Sequence, residues 1–186
     1  MSGHLEVICG PMYAGKSEEL LRRVRRVEIA GQSFAVFKPK IDNRYGQNKV
    51  VSHIGNNREA YEIKDWEEMY DIFDEIKQPQ VIVIDEIQFF DFEMTEAIQR
   101  LITQCRVIVS GLDLDFRKQP FGIVPDLLAI SKFVVKLRAV CQVCGEDAMY
   151  TQRLINGKPA SLDGETIIVG GAEQYEARCE NCWEAG

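Results

Sequence analysis

The sequence predicts an α/β domain of three layers around a mostly parallel sheet, followed by a small β-rich module. Three observations predict it. Short β-branched runs alternate with helical periodicity through the first 140 residues, the grammar of strand–helix crossovers. One run, Val81-Ile-Val-Ile84, is apolar without alternation, as expected of a strand covered on both faces. From Cys141 the pattern changes to cysteine pairs, glycine turns and strand-like stretches.

The elements follow in chain order. Residues 5–9 read as a short buried strand, and a glycine-containing loop leads into a helix from Lys16. Leu20, Leu21, Val24 and Val27 recur at helical spacing until Gly31 stops the run. Residues 33–37 form a second strand, ended near Pro39. Residues 40–60 are polar and broken by glycine and asparagine, so a long mobile loop is expected. Asp65 caps a helix, with Glu68 three residues on and an apolar face of Trp66, Met69, Tyr70, Phe73 and Ile76. Pro79 ends it. After the strand at 81–84 come a helix over 91–104, a strand over 106–110, a short helix over 126–131 and a strand over 133–137. The tail holds a strand over 148–154, an Asn156-Gly157 turn and a β-branched run over 166–169.

The chain has 186 residues, 46% of them hydrophobic, enough for one real core with a small appendage. The expected division is 1–140 and 141–186. The formal net charge is −7, which argues against a protein built to grip nucleic acid phosphates. Apolar runs reach only about four residues, where a membrane span needs roughly twenty. No basic region followed by an apolar stretch opens the chain, so no signal peptide is expected and the location expected is cytoplasmic.

Gly10-Pro11-Met12-Tyr13-Ala14-Gly15-Lys16-Ser17 matches the phosphate-binding pattern G-x-x-x-x-G-K-[ST], between a strand and a helix as that pattern requires. Backbone N–H groups curl toward phosphate oxygens, and the helix adds its positive dipole end. Lys16 reaches the β- and γ-phosphates and Ser17 ligates Mg²⁺. Asp85, at the end of a buried strand, holds the metal's water shell, and Glu86 beside it stands where it can act on a nucleophile. The fold class is thus a P-loop NTPase (RecA-like) domain, and the chemistry is phosphoryl transfer or hydrolysis with ATP or GTP.

Six cysteines fall into two groups. Cys9 and Cys105 sit alone in apolar stretches and read as small buried thiols. Cys141-x2-Cys144-x34-Cys179-x2-Cys182 has the pairing of a Cys₄ zinc ribbon, and a closed Cys₄ shell is structural. A module of this size cannot bury much core, so structural Zn²⁺ supplies its folding energy. A redox role for the pairs fits less well. His4 and His53 are far apart and read as no metal site. The cluster Arg22-Arg23-x-Arg25-Arg26 reads as a solvated helix face or subunit contact before a contact to nucleic acid or triphosphate.

Aromatic residues after two strand ends suggest a stacking pocket: Gln88-Phe89-Phe90, then Gly111 through Phe116, then Phe121. With the phosphate loop, Phe37-Lys-Pro-Lys40, Asp42-Asn-Arg-Tyr45, Ser52-His53, Asp85-Glu86-Ile-Gln88-Phe89-Phe90, Gly111-Leu-Asp-Leu-Asp-Phe116, Tyr150-Thr151, Gly170-Gly-Ala172, Tyr175 and the cysteine pairs, the chain resembles type II thymidine kinases over residues 5–182. Ala14 stands where many members have serine.

The resemblance implies ATP-dependent 5′-phosphorylation of thymidine to dTMP, with deoxyuridine to dUMP beside it, a homotetramer, and dTTP as feedback ligand. It implies Glu86 as general base, and Arg44 neutralising charge near the transferring phosphate. It implies Met12, Phe89, Leu112, Phe116 and Phe121 around the nucleoside. Thr151 and the backbone at Ile168, Val169 and Gly170 would hold the thymine edge, with Tyr175 packed against the nucleoside. No nucleic acid or membrane partner is implied. The rival reading is a nucleic-acid-dependent P-loop ATPase with a zinc ribbon, in which Asp85 and Glu86 activate water.

Overall fold

In the computed structural model, which describes residues 3–40, 49–51, 57–163 and 173–186, the alternation of strands and helices closes into one sheet. The elements are β1 (His4–Cys9), α1 (Lys16–Ile29), β2 (Phe34–Pro39), β3 (Lys49–Val51), β4 (Asn57–Glu59) and β5 (Tyr61–Ile63). Then come α2 (Trp66–Glu75), β6 (Val81–Ile84), α3 (Phe92–Leu101), β7 (Arg106–Gly111), α4 (Val124–Ile130) and β8 (Phe133–Lys136). Six strands pair in the order β5-β2-β6-β7-β1-β8, each pairing parallel.

The unbroken apolar run of β6 is explained by its two faces. Val81 and Val83 share a core with Leu20, Val24 and Val27 of α1. Ile82 and Ile84 share the opposite core with Met69 and Phe73 of α2, Met94 and Ile98 of α3, and Val124 and Leu127 of α4. Both sides being covered, alternation is lost from the sequence. Each such side chain contributes about 1.5–3 kcal/mol when buried. Cys9 and Cys105 lie in the second core, where burial pushes both thiols up to about 11.

Asp65 caps α2 by accepting from the Glu68 N–H at 3.1 Å, a contact worth about 1 kcal/mol. The helix stops at Glu75, before Pro79, because Lys77 and Gln78 adopt left-handed backbone. A 3₁₀ turn, Ile87–Phe89, fills the gap before α3, and the periodicity of the sequence did not reveal it. The expected loop over 40–60 needs correction. Among its described residues, β3 and β4 pair antiparallel, and just beyond it β5 continues the main sheet beside β2.

One buried polar group ties α1 to the sheet. Glu6 of β1 accepts from Arg106 Nε at 2.6 Å and from Arg23 Nη1, and His4 Nε2 lies 3.1 Å away. Burial raises its pKa, but Arg106, His4 and Arg23 outweigh this and hold it below the usual range. Arg23 also pairs with Glu19 at 3.0 Å, and Arg22 with Glu19 at 2.7 Å. Two of the four clustered arginines therefore serve packing and the helix face.

The tail is a second, small β structure. β9 (Ala139–Val140) and β10 (Asp147–Ala148) pair antiparallel around the first cysteine pair. β11 (Tyr150–Ile155), β12 (Lys158–Pro159) and β13 (Glu173–Arg178) form a three-stranded antiparallel sheet with β11 in the centre. Asn156 and Gly157, both at positive φ, make the turn between β11 and β12. β13 was not foreseen. The run over 166–169 lies outside the described residues. No described helix is long and apolar enough to cross a membrane.

Candidate active site

The phosphate loop follows the carboxyl end of β1, and β6 and β7 end beside it in the same parallel sheet. Gly10 sits at φ 145, and a Cβ there would come within 2.5 Å of the Leu137 carbonyl oxygen. Only glycine lets the chain curl at this point. Gly15 then opens α1 in left-handed conformation, and no described side chain caps the helix. Its first N–H groups are thus kept for an anion. Lys16 is buried and donates to the Pro11 carbonyl at 2.8 Å. Tyr13, at φ 65, turns outward and is exposed.

Ser17 donates its hydroxyl to Asp85 Oδ2 at 3.2 Å. The other Asp85 oxygen accepts from the Ser110 hydroxyl and from the Glu86 N–H at 3.0 Å. Burial pushes Asp85 up to about 6 and the neighbouring Glu86 charge adds to this, while Ser110, the Glu86 N–H and Lys16 pull it back. A hydroxyl and a carboxylate joined at the mouth of an anion cradle are hard oxygen donors that suit Mg²⁺. Ser110, at the end of β7, was not anticipated. A lone serine in a buried strand carries no signal until its partner is known.

Glu86 adopts left-handed backbone at φ 52. Its carboxylate accepts from Gln88 Nε2 at 2.5 Å, and Gln88 Oε1 accepts from the Leu112 N–H at 3.1 Å. The amide orientation follows from chemistry. A backbone N–H must meet the oxygen, so the NH₂ group must face the carboxylate. Gln88 is 3% exposed, and a Cβ on Gly111 would come within 2.5 Å of its Oε1. The chain thus reserves space for an amide that joins the acid after β6 to the loop after β7. Gln88→Leu is expected to lower stability by about 1–3 kcal/mol, because the buried Gln88 amide gives up its bonds to the half-buried Glu86 carboxylate and Leu112 N–H. The check is the urea midpoint, and an unchanged midpoint would count the bridge as idle.

The remaining candidates are brought together in pairs. Phe89 and Phe121 meet edge to face, ring centroids 5.9 Å apart. Phe116 is buried, with the Arg153 guanidinium 5.0 Å from its ring centroid. Thr151 is buried and its Oγ1 accepts from the Met12 N–H at 3.1 Å, which joins β11 to the phosphate loop. Tyr175 lies on β13 opposite Arg153 of β11. Arg44, His53, Ile168, Val169 and Gly170 lie outside the described residues.

The four cysteines of the tail converge. The Sγ atoms of Cys141, Cys144, Cys179 and Cys182 all lie within 4.8 Å of one another, with Cys144 and Cys179 3.6 Å apart. A tetrahedron of ~2.3 Å Zn–S bonds has edges of about 3.8 Å, so the donor set and spacing fit Zn²⁺. A disulfide would need about 2.0 Å. Burial raises Cys141, but the N–H groups of Cys179, Cys144 and Val143 outweigh it and bring the thiol down to about 6. Hydrogen bonds with Cys144 and Cys179 push Cys182 up to about 12. A cation bound between them would hold all four as thiolates. Ala14 of the phosphate loop packs against the core of this module.

A glycine cradle at a helix start, with an acid pair after a strand two places away in the same parallel sheet, defines a P-loop nucleotide-binding protein of the α/β class. The four-cysteine module leaning on that cradle narrows the class further. The family model for thymidine kinase matches residues 3–183, nearly the whole chain, and the chain belongs to that family. Membership supports a nucleoside kinase function. Among solved structures, one described as a DNA replication initiation factor is 8% identical over 73% of this chain, with a TM-score of 0.42. This chain spans 40% of the length of that one.

Proposed function

We propose that the protein is a thymidine kinase that transfers the γ-phosphate of ATP to the 5′-hydroxyl of thymidine, giving dTMP, and that it converts deoxyuridine to dUMP as well. The observation that carries this reading is the family match over residues 3–183. The geometry around Glu86 supports it. Gln88 holds the Glu86 carboxylate at 2.5 Å, at the end of the strand beside the cradle, where a carboxylate can take the proton from a neutral alcohol. Lys16 and the loop amides hold the phosphates, and Ser17 and Asp85 hold Mg²⁺. When bound, that ion neutralises charge on the transferring phosphates. Arg44 adds a second positive charge there.

Residues 1–140 form the ATP-binding part and 141–186 a zinc-stapled lid. Met12, Phe89, Leu112, Phe116 and Phe121 shape the nucleoside pocket. The Thr151 oxygen already accepts from Met12, so its own proton is directed to a base carbonyl. The backbone around Ile168, Val169 and Gly170 completes the thymine edge, and Tyr175 packs on the nucleoside. Closing the lid excludes water, the competing acceptor. The protein acts in the cytoplasm as a homotetramer and is inhibited by dTTP.

The test is direct. The protein is incubated with labelled ATP, Mg²⁺ and each nucleoside in turn, and products are separated. Labelled dTMP is the expected result. ATP hydrolysis stimulated by DNA, with no nucleoside monophosphate, would overturn the proposal.

A further inference from the structure

Between β7 and α4 the chain makes a tight loop whose tip is Lys118. Asp115 staples it, its Oδ1 accepting from the N–H groups of Arg117 at 2.8 Å and Gln119 at 2.9 Å. Leu114 and Pro120 bridge across the base, and Lys118 sits at the turn with φ 61. Its side chain leaves its own layer and enters the cysteine module. The Lys118 ammonium lies 3.9 Å from the Tyr150 ring centroid and 4.4 Å from that of Trp183. Glu180 Oε1 accepts from it at 3.1 Å, and Glu180 also bonds to the Tyr150 hydroxyl.

These partners are not scattered. Glu180 lies between Cys179 and Cys182, and Trp183 follows directly. The N–H groups of Cys182 and Trp183 both donate to the Cys179 carbonyl, at 3.2 and 3.1 Å, so the turn that places two sulfurs also places Glu180 and Trp183. On the other side, Phe116 and Phe121 flank Lys118 within three residues. Two aromatic faces and a carboxylate around one ammonium form a site that suits a lysine cation in charge and shape.

We infer that Lys118 is a positioning residue: the second cysteine turn clamps its ammonium and thereby fixes the loop that carries Phe116 and Phe121 against the nucleoside. This rests on the thymidine kinase reading of the site. The groups that hold Lys118 come from β11 and the second cysteine turn, so the clamp acts on nucleoside before ATP.

The test uses the full zinc-loaded chain and the variants Lys118→Met and Lys118→Arg. Lys118→Met keeps the stem and loses the charge. It is expected to raise the thymidine KM about tenfold with the ATP KM within about twofold. Lys118→Arg keeps a cation able to stack and pair, and is expected to restore most of the loss. Equal shifts in both KM values, or none, would overturn the clamp. Hydrogen exchange over 111–121 is the second measurement, and faster exchange in Lys118→Met alone is expected. Unchanged exchange there would also overturn it. If the wild-type protein makes no dTMP, the functional reading falls, and the exchange data still judge the clamp.

Discussion

Glu86→Gln is expected to lower the rate of phosphate transfer by about 10²–10⁴-fold while ATP affinity stays within about twofold. The two side chains have the same shape, so the left-handed backbone at this position bears no new strain. The Gln88 amide keeps a partner, because the new side chain can turn its oxygen toward it. What is lost is the carboxylate proposed as the base, and an amide takes no proton at neutral pH. Thymidine KM should change little, since a base that acts as the proton leaves stabilises the transition state and not the ground state. Single-turnover kinetics with calorimetric ATP binding separate the two quantities. Retained turnover would remove Glu86 from the role of base.

Gln88→Leu and Glu86→Gln therefore differ in kind. The first breaks a bridge that holds both the acid and the Leu112 loop, so it should reduce stability as well as rate. The second leaves the bridge intact and should reduce rate alone. A kinetic defect in Glu86→Gln accompanied by a lower melting midpoint would point to misplacement of the site as the cause.

The parts of this architecture legible in the sequence are those set by local chemistry. The β6 run, the helical spacing of α1, the Asp65 cap and the two cysteine pairs each follow from a rule that acts within a few residues. The parts that escaped are set by partners far along the chain. β3, β4 and β5 are three residues each, too short for periodicity, and exist because a neighbouring strand pairs with them. β13 reads Glu-Gln-Tyr-Glu-Ala-Arg, a composition that favours helix, yet it pairs with β11 along its whole length. Thr151 meets Met12 across 139 residues and Lys118 meets Glu180 across 62. The Arg23–Glu6 pair shows the same limit, since a cluster of arginines on a helix does not announce that one of them is buried.

Removing zinc is expected to weaken thymidine binding more than a hundredfold and ATP binding by roughly tenfold at most. Among the described residues, the buried apolar cluster around the cysteines is Ala139, Cys141, Ala148, Ala177 and Cys179, side chains too small to hold the two cysteine turns together by packing. Metal binding contributes about 10–16 kcal/mol in small zinc modules, so its loss releases the whole unit. With the cysteine turn undone, Glu180 and Trp183 let go of Lys118, and Phe116 loses the Arg153 guanidinium above its ring. The nucleoside therefore loses its lid and its positioned loop together. ATP loses much less, because its cradle is built from the strand–loop–helix unit around β1. The contacts it shares with the module include the Thr151 hydroxyl on the Met12 N–H and the packing of Ala14. One neutral hydrogen bond is worth about 0.5–1.5 kcal/mol, which sets the tenfold limit. A chelator with nitrogen and sulfur donors, used in excess Mg²⁺, keeps the two metals apart in the experiment, and Cys179→Ser repeats it without a chelator. Hydrogen exchange should rise in β9 to β13 and stay protected in β1, β6 and β7. Equal loss of both ligands, or no loss of either, would show that the cysteine module does not govern the nucleoside site.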